Sequence, residues 1–494
     1  MTIAPSLRRS LLAARLSAAA LVVIAGCGSS NPAPEAGGAG ADAGGTSSGG
    51  GNTPGDAGNG DGAASGGADG SVAPDGSVAA DGGPAPRNWV EAFDHVFPED
   101  RVVQVSLTFA PGDWAKLLDD WQVLQQKNEY PARFAFDDEL LASVGARLKG
   151  LNGLSLPPGP VNLGGKYPLK VDFNATGGER FHGVDGLSLN TNLQDPSMMR
   201  ERLSLLMYRE MGVPSSRATY ASVTVEGANV GLYNSAQLID KQYLKERFGT
   251  ANGNDDGNLY KCVYNSQGVC SLEFRGTSKS DYYFTDCTQG FDECGIVLKT
   301  NEDDPALNDY QDFIHFLDVL HNTPAAALQN EIEKVFDVDG FLKVAAVAFA
   351  ISNSDSYFGK GHNYYLYRRP DTGRFQYLPW DLDLTYGSTS CEADIGDPTC
   401  GQADTHPLVG KLFSIPAYRA KYLQYLRQVA EEHLTVEKHD AWVDKLDALI
   451  GPLVAADPNI PGKAEYEAAR DQIRVFVMER RADILQRLDA DSGG

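Results

Sequence analysis

Alternation of apolar and polar positions dominates the first half of the folded sequence. Arg101 to Phe109 alternates as a strand, Ala132 to Phe136 and Ala142 to Leu148 alternate again, and Gly112 to Leu124 between them has helical spacing. A Gly/Pro-rich loop from Gly150 to Gly165 is closed by Lys166 to Phe173, read as a further strand. Asp195-Pro196 looks like an N-cap with proline at the first helical position. A helix is therefore expected from Ser197 to Met211, stopped by Gly212, with Leu203, Leu206 and Met207 as its buried stripe. Ala218 to Val225 and Val230 to Tyr233 read as strands around a turn at Glu226-Gly227-Ala228-Asn229, and Ile239 to Phe248 as a helix.

From Tyr310 the period becomes helical. Phe313, Phe316, Leu317 and Leu320 mark one amphipathic helix, Phe341 to Ile351 is a very apolar one, and Tyr418 to His433, Trp442 to Leu453 and Glu465 to Leu488 are three more. A hairpin interrupts them, with strands Tyr364 to Tyr367 and Phe375 to Leu378 around Pro370-Asp371-Thr372-Gly373. The order predicts an α+β fold over 88–494: a β-rich lobe at 88–300, a mainly helical lobe at 301–494, and a cleft between them.

Charge and cysteines narrow the setting. A net charge of -24 on 494 residues offers no basic face for nucleic acid. It suits a surface protein, or one whose partner is a basic protein. At the N-terminus, Arg8, Arg9 and Arg15 precede the apolar run Leu16 to Ile24 and then Ile24-Ala25-Gly26-Cys27. Residues 1–27 thus read as a lipoprotein signal peptide, with Cys27 acylated and the chain exported and lipid-anchored to the bacterial membrane. Residues 28–87, rich in Gly, Ala, Asp and Pro, cannot bury enough surface to order and read as a disordered tether. The remaining cysteines, Cys262, Cys270, Cys287, Cys294, Cys391 and Cys400, are even in number, and close spacing favours pairing them in that order as disulfides. Zinc is the competing reading, but no CxxC occurs.

The chemistry gathers around the hairpin. Asn353, Asp355, His362 and Asn363 precede it, and Pro379-Trp380-Asp381-Leu382-Asp383 follows it. Kinase-type phosphoryl transferases present a base, a metal-binding Asn and a metal-binding Asp in this order. Asp381 and Asp383, two apart on an extended segment, are expected to face one side and share a metal. Glu201, on the helix after Asp195, is placed to pair with a strand lysine. Asn252 to Asn258, NGNDDGN, matches an EF-hand loop until position twelve, which is Val263, so a solvated turn is expected. No HExxH occurs, and a glycosidase reading has only the two carboxylates Asp355 and Asp381 in its favour.

Taken together, these motifs resemble the CotH family of atypical protein kinases. The similarity runs from about Val102 to the C-terminus and rests on Ala146 to Gly150, Lys166 to Phe173, Arg200-Glu201, Gly212-Val213-Pro214, Gly231-Leu232-Tyr233, Asn258 to Lys261, Asn353 with Asp355, His362-Asn363 and Pro379 to Asp383. The resemblance implies a divergent bilobal protein-kinase-like fold that transfers the γ-phosphoryl of ATP to protein Ser/Thr with Mg²⁺ or Mn²⁺. It implies Asp355 as catalytic base, Asn363 and Asp381 or Asp383 as metal ligands, and Lys170, or else Lys149 or Lys261, on the phosphates with Glu201 as ion-pair partner. A monomer acting on a basic, Ser-rich protein is expected. The rival is a non-catalytic surface adhesin or scaffold on a degenerate kinase fold.

Overall fold

The computed structural model describes residues 91–124, 126–150, 166–175, 177, 180–192, 194–263, 269–285, 294–387, 394–399, 401–459 and 462–492. Within them the alternating segments close into a barrel. Its strands are β1 (Val102–Phe109), β2 (Tyr130–Phe136), β3 (Glu139–Leu148), β4 (Leu169–Asp172), β5 (Gly186–Asn190), β6 (Ala218–Val225) and β7 (Ala228–Gln237). They run in the order β1-β2-β3-β4-β5-β7-β6, and β1 closes the ring by pairing in parallel with β6, Val102 opposite Tyr220. The signal peptide, Cys27, the tether at 28–87, residues 151–165 of the Gly/Pro-rich loop, Cys287, Cys391 and Cys400 lie outside the described residues.

Two-residue alternation decides what fills the barrel. Val103, Val105, Leu107 and Phe109 of β1 meet Phe134 and Phe136 of β2, Val144 and Leu148 of β3, and Leu169 and Val171 of β4. The periodicity did not single out β5, because GLSLN is too short to show a pattern. It nonetheless puts Leu187 and Leu189 in the core and turns Ser188 and Asn190 the other way. The β6–β7 turn is tighter than expected. Glu226 (φ 51°) and Gly227 (φ 76°) both adopt the left-handed conformation of a two-residue hairpin, so β7 begins at Ala228.

Helices α1 (Glu91–Val96), α2 (Asp113–Leu124), α3 (Arg200–Glu210) and α4 (Lys241–Phe248) accompany the barrel. The helix expected from Ser197 starts three residues later, since Met198 (φ 59°) is left-handed. Asp195 is buried and caps the intervening turn, accepting from the Ser197 and Arg200 backbone N-H groups at 3.0 and 2.9 Å. The buried face is broader than the expected stripe. Everything from Arg200 to Leu205 is buried, whereas Leu206 is only half-buried.

Beyond the barrel a second sheet has the order β12-β11-β8-β10-β9. It takes β8 (Leu259–Val263), β9 (Tyr283–Phe284) and β10 (Cys294–Leu298) from one side of residue 300, and β11 (Tyr364–Arg368) and β12 (Phe375–Pro379) from the other. Around it pack α5 (Gln311–Asn322), α6 (Ala325–Val335), α7 (Val338–Ala350), α8 (Tyr357–Lys360), α9 (Pro407–Phe413), α10 (Pro416–Gln428), α11 (Val436–Val454) and α12 (Lys463–Ser492). Helix α7 is buried nearly all round, from Val344 to Ala350 without a break, as its unbroken apolar sequence requires. The result is an α+β architecture, an N-terminal barrel followed by a helical region. No helix of the described residues is long and apolar enough to cross a membrane.

Covalent and ionic ties brace this arrangement. Cys262 is joined to Cys270 with 5.7 Å between Cα atoms, the pairing that their spacing suggested, and Cys294 is disulfide-bonded as well. Lys166, at the start of the strand region after the Gly/Pro-rich loop, is fully buried and pairs at 3.2 Å with the equally buried Asp457, which follows α11. Asp457 also accepts from Leu232 N-H at 2.7 Å. Gly231 permits this close approach: its φ is 103°, and a Cβ there would overlap the Asp457 carboxylate. In the NGNDDGN segment, Lys241 neutralises Asp255 and Asp256, and the chain forms an ion-paired turn.

Removing one partner of a buried pair strands the other as an uncompensated charge. Asp457→Ala is therefore expected to cost about 3–5 kcal/mol, read as a lowered urea midpoint with unchanged slope. A loss below about 1 kcal/mol would show that Lys166 finds water or another acceptor.

Candidate active site

Loops at the ends of rigid elements carry the candidate residues. After α7 the chain turns left-handed at Ser352 (φ 55°), and Ser356 caps α8 by accepting from Phe358 N-H. Asn363 (φ 57°) then launches β11. After β12, Asp381 is again left-handed (φ 60°), so the segment from Asp381 to Asp383 is a turn, not the extended strand expected. Thr385 pins that turn: its Oγ1 donates to Leu382 O at 3.0 Å and lies 2.9 Å from Ser204 Oγ on α3.

Asp355 is buried and heavily engaged. Its Oδ1 accepts from Lys360 Nζ at 2.6 Å and faces His362 Nε2 at 3.2 Å, and Asn363 Nδ2 donates to its Oδ2 at 3.2 Å and its backbone O at 2.8 Å. Burial pushes this carboxyl up, but His362 and Lys360 outweigh burial and bring it down to about 2. Asp355 is therefore ionised throughout the physiological range. His362 thus helps to orient Asp355.

Asp381 and Asp383 are the opposite case. Neither carboxylate makes a hydrogen bond or ion pair among the described residues. Protein crowds Asp383, although part of it remains accessible. Its carboxyl is pushed well above the ordinary aspartate value, first by desolvation and then by the negative charges of Asp381, Glu201, Asp195 and Asp355. Asp355, Asp381 and Asp383 do not bring three oxygens within 4.8 Å of one another. The cluster is thus an open array of carboxylates, with the Asp355 side neutralised and the Asp381 side bare.

The outer face of the barrel supplies the opposing charge. Lys149, just past the end of β3, donates to Ser188 Oγ at 2.7 Å and to Asn190 Oδ1. Asn190 Nδ2 in turn reaches Glu201 of α3 at 3.0 Å, and Asn234 Nδ2 of β7 donates to Glu201 too. Lys149 and Glu201 are thus linked through Asn190 rather than paired directly. Burial lowers the Lys149 pKa, and Asp381 and Glu201 offset part of that shift. Burial, then Asp381, raises the Glu201 pKa, moderated by Asn190, Lys149 and Asn234. Lys261 of β8 stands 5.5 Å from the Tyr365 ring centre and 6.0 Å from that of Trp380. Its pKa too is lowered by burial, opposed by Asp381 and deepened by Arg147.

The structure therefore brings together Lys149, Lys261, Glu201, Asp381 and Asp383, with Asp355 and Asn363 beside them. Lys170 belongs to a different group. It bonds Asp172 at 3.2 Å, and its other charged neighbours are Glu129 and Asp240. Glu201 is buried against amides, so it is neither a surface charge nor the partner of Lys170. Sequence reasoning missed Ser188, Asn190 and Asn234, which join the lysine to the glutamate. The first two alternate with Leu187 and Leu189, but over a strand of only five residues, too short for the alternation to mark them.

A family model described as CotH kinase protein matches residues 162–484, and the chain belongs to this family of atypical protein kinases. It is similar to the inner spore coat protein H of Bacillus subtilis (strain 168), 27% identical over 313 residues, covering 61% of this chain and 77% of that protein. An inner spore coat protein H-like protein of the same organism is 23% identical over 305 residues, 62% of this chain and 80% of its own length. Invasin CotH7 of Rhizopus delemar is 23% identical over 274 residues, 54% of this chain and 43% of the invasin.

The bare carboxylates imply a test by pH and substitution. Because the folded-state pKa of Asp383 is raised, the folded form holds a proton that the unfolded chain releases. Its contribution to stability therefore falls as pH rises above the ordinary aspartate range. In metal-free protein Asp383→Asn is expected to raise stability at neutral pH by on the order of 1–2 kcal/mol and to flatten the decline between pH 4 and 7, followed as Tm in chelator. An unchanged or lowered Tm would mean that the carboxylate repulsion is already relieved.

Proposed function

We propose that the protein transfers the γ-phosphoryl of ATP to Ser or Thr of a protein acceptor, with a divalent metal, outside the cytoplasm. The observation that carries this reading is the pair Asp381 and Asp383, the first exposed and the second half-buried, without a protein partner among the described residues and opposed by the half-buried Lys149 and Lys261. Carboxylates left bare against desolvated ammonium groups suit a ligand with both a cation and anionic oxygens, and a metal nucleotide has that composition. Mg²⁺ typically takes one or two carboxylates and completes its shell with waters and phosphate oxygens.

Asp381, Asp383 and the side-chain oxygen of Asn363 would hold the metal, and Lys149 and Lys261 the phosphates. A bound metal supplies charge neutralisation as negative charge moves onto the leaving oxygen. Asn190 and Glu201 hold Lys149 in place, so its ammonium is oriented before substrate arrives. Asp355, fixed by Lys360, His362 and Asn363, aligns the acceptor hydroxyl and takes its proton as the new O–P bond forms and the bond to the ADP oxygen breaks. With a carboxyl titrating near 2, Asp355 works by positioning and late proton acceptance, not as a strong base.

Incubation of the full chain with labelled ATP and Mg²⁺ or Mn²⁺ is expected to label the protein itself or a basic, Ser-rich acceptor. Asp355→Ala and Asp383→Asn should abolish labelling, and Lys149→Met should reduce it on the order of 10²–10³-fold. Lys170→Met is expected to stay within about twofold, because its partner is Asp172. Equal losses from Lys149→Met and Lys170→Met would place the phosphates elsewhere on the barrel. Relatives named invasins keep a non-catalytic adhesin in view, and absent labelling with any divalent metal, together with binding to cells, would favour it.

The box ending at Cys27 supports export and lipid anchoring, with residues 28–87 as the tether. Cys27→Ser is expected to release the protein from the membrane fraction. Retention in that fraction would argue against acylation.

A further inference from the structure

Away from this site, three chain segments meet at one point on the barrel's surface. His95 lies in the last turn of α1, Glu139 opens β3, and His182 occupies the turn between the bridged residues Phe181 and Val184. His95 Nε2 is 2.6 Å from Glu139 Oε1, and His182 Nε2 is 2.8 Å from Glu139 Oε2. The three donor atoms all lie within 4.8 Å of one another. Among the described residues no other group of three or more His, Cys, Asp or Glu is so arranged. We propose that His95, Glu139 and His182 form a binding site for a zinc-class divalent cation that clamps α1 to the barrel.

The rings are held in place before any ion arrives. The two imidazoles are 4.4 Å apart centre to centre, His95 packs 5.8 Å from Phe136, and Phe181 meets His182 edge-on at 4.6 Å. His182 itself is left-handed, with φ 48°, which turns its ring towards Glu139. A tetrahedral ion with bonds of about 2.0–2.1 Å spaces its ligand atoms about 3.3 Å apart. Each imidazole therefore needs to withdraw from Glu139 by only a fraction of an ångström. The side chains remain 34–41% accessible, so an ion and a completing water can reach them. Two imidazoles with one carboxylate select zinc and its neighbours over Mg²⁺, the reverse of the all-oxygen set at Asp381 and Asp383. The two sites therefore sort different ions.

The clamp would reinforce the hold of a six-residue helix on the barrel. Phe93, Val96 and Phe97 bury there, and Arg217 bonds Asp94. A metal would add a cross-link from the last turn of α1 to the start of β3 and to the turn at His182.

The test is titration of the chelator-stripped full chain with Co²⁺ in excess Mg²⁺, which occupies the oxygen site. One equivalent should bind with visible ligand-field bands, be displaced by Zn²⁺, and persist in Asp383→Asn. His182→Gln and Glu139→Gln should each weaken binding at least tenfold, on the order expected for loss of a ligand. Zn²⁺ should raise the Tm of the parent chain but not of these variants. No Co²⁺ uptake under Mg²⁺, uptake that survives His182→Gln, or uptake lost in Asp383→Asn would each overturn the proposal. Because all three side chains are partly exposed, the variants are expected to match the parent's circular dichroism in chelator. Should His182→Gln not do so, His95→Gln decides by the same criterion.

Discussion

The negative charge that Asp381, Glu201, Asp195 and Asp355 direct at the crowded Asp383 is the constraint the rest of the molecule accommodates. Four carboxylates close enough to perturb a fifth are unfavourable in a folded protein unless something offsets them. Asp195 caps a turn, Glu201 is bound by two amides, and Asp355 is held by a lysine and a histidine. Asp381 is exposed to solvent, and Asp383 alone is both crowded and without a partner among the described residues. Strain of this kind persists only where surrounding packing over-determines it, here the fully buried α7 and the contact of Thr385 with α3.

Barrel and second sheet divide the work. The barrel offers Lys149 from its outer face, and its interior is an aromatic and aliphatic core that fixes β3 and β5 side by side through β4. The second sheet carries Lys261 on β8 and, one strand away, the hairpin whose two ends hold Asn363 and Asp381. Both sources of positive charge are therefore mounted on hydrogen-bonded strands, and the carboxylates on loops that start and end on such strands.

Much of this was legible in the chain itself. Strands β1 to β3, the hairpin, the apolar helix α7 and the residues of the Asp355 to Asp383 segment follow from periodicity and turn chemistry. What failed to show has specific causes. β5 is too short for its alternation to be distinguished, so Ser188 and Asn190, and with them the link from Lys149 to Glu201, were invisible. Lys149 follows β3 directly and Lys170 lies on the neighbouring β4, and only the register of β3, β4 and β5 separates them. The left-handed turn at Asp381 breaks the alternation that would have governed an extended segment. The start of α3 was misplaced because an Asp-Pro step usually opens a helix, whereas here it opens a turn that the helix follows.

Lys261 and Cys262 are consecutive on β8, and Cys262 is bonded to Cys270 across a short excursion of the chain. Oxidation thus fastens the strand end immediately beside a charged residue of the site. With the thiols reduced, that end is held by its ladder hydrogen bonds and by burial of both cysteines in the core, whereas the disulfide braces it covalently. Assembly of this part of the site is in this way tied to the redox state of one cysteine pair.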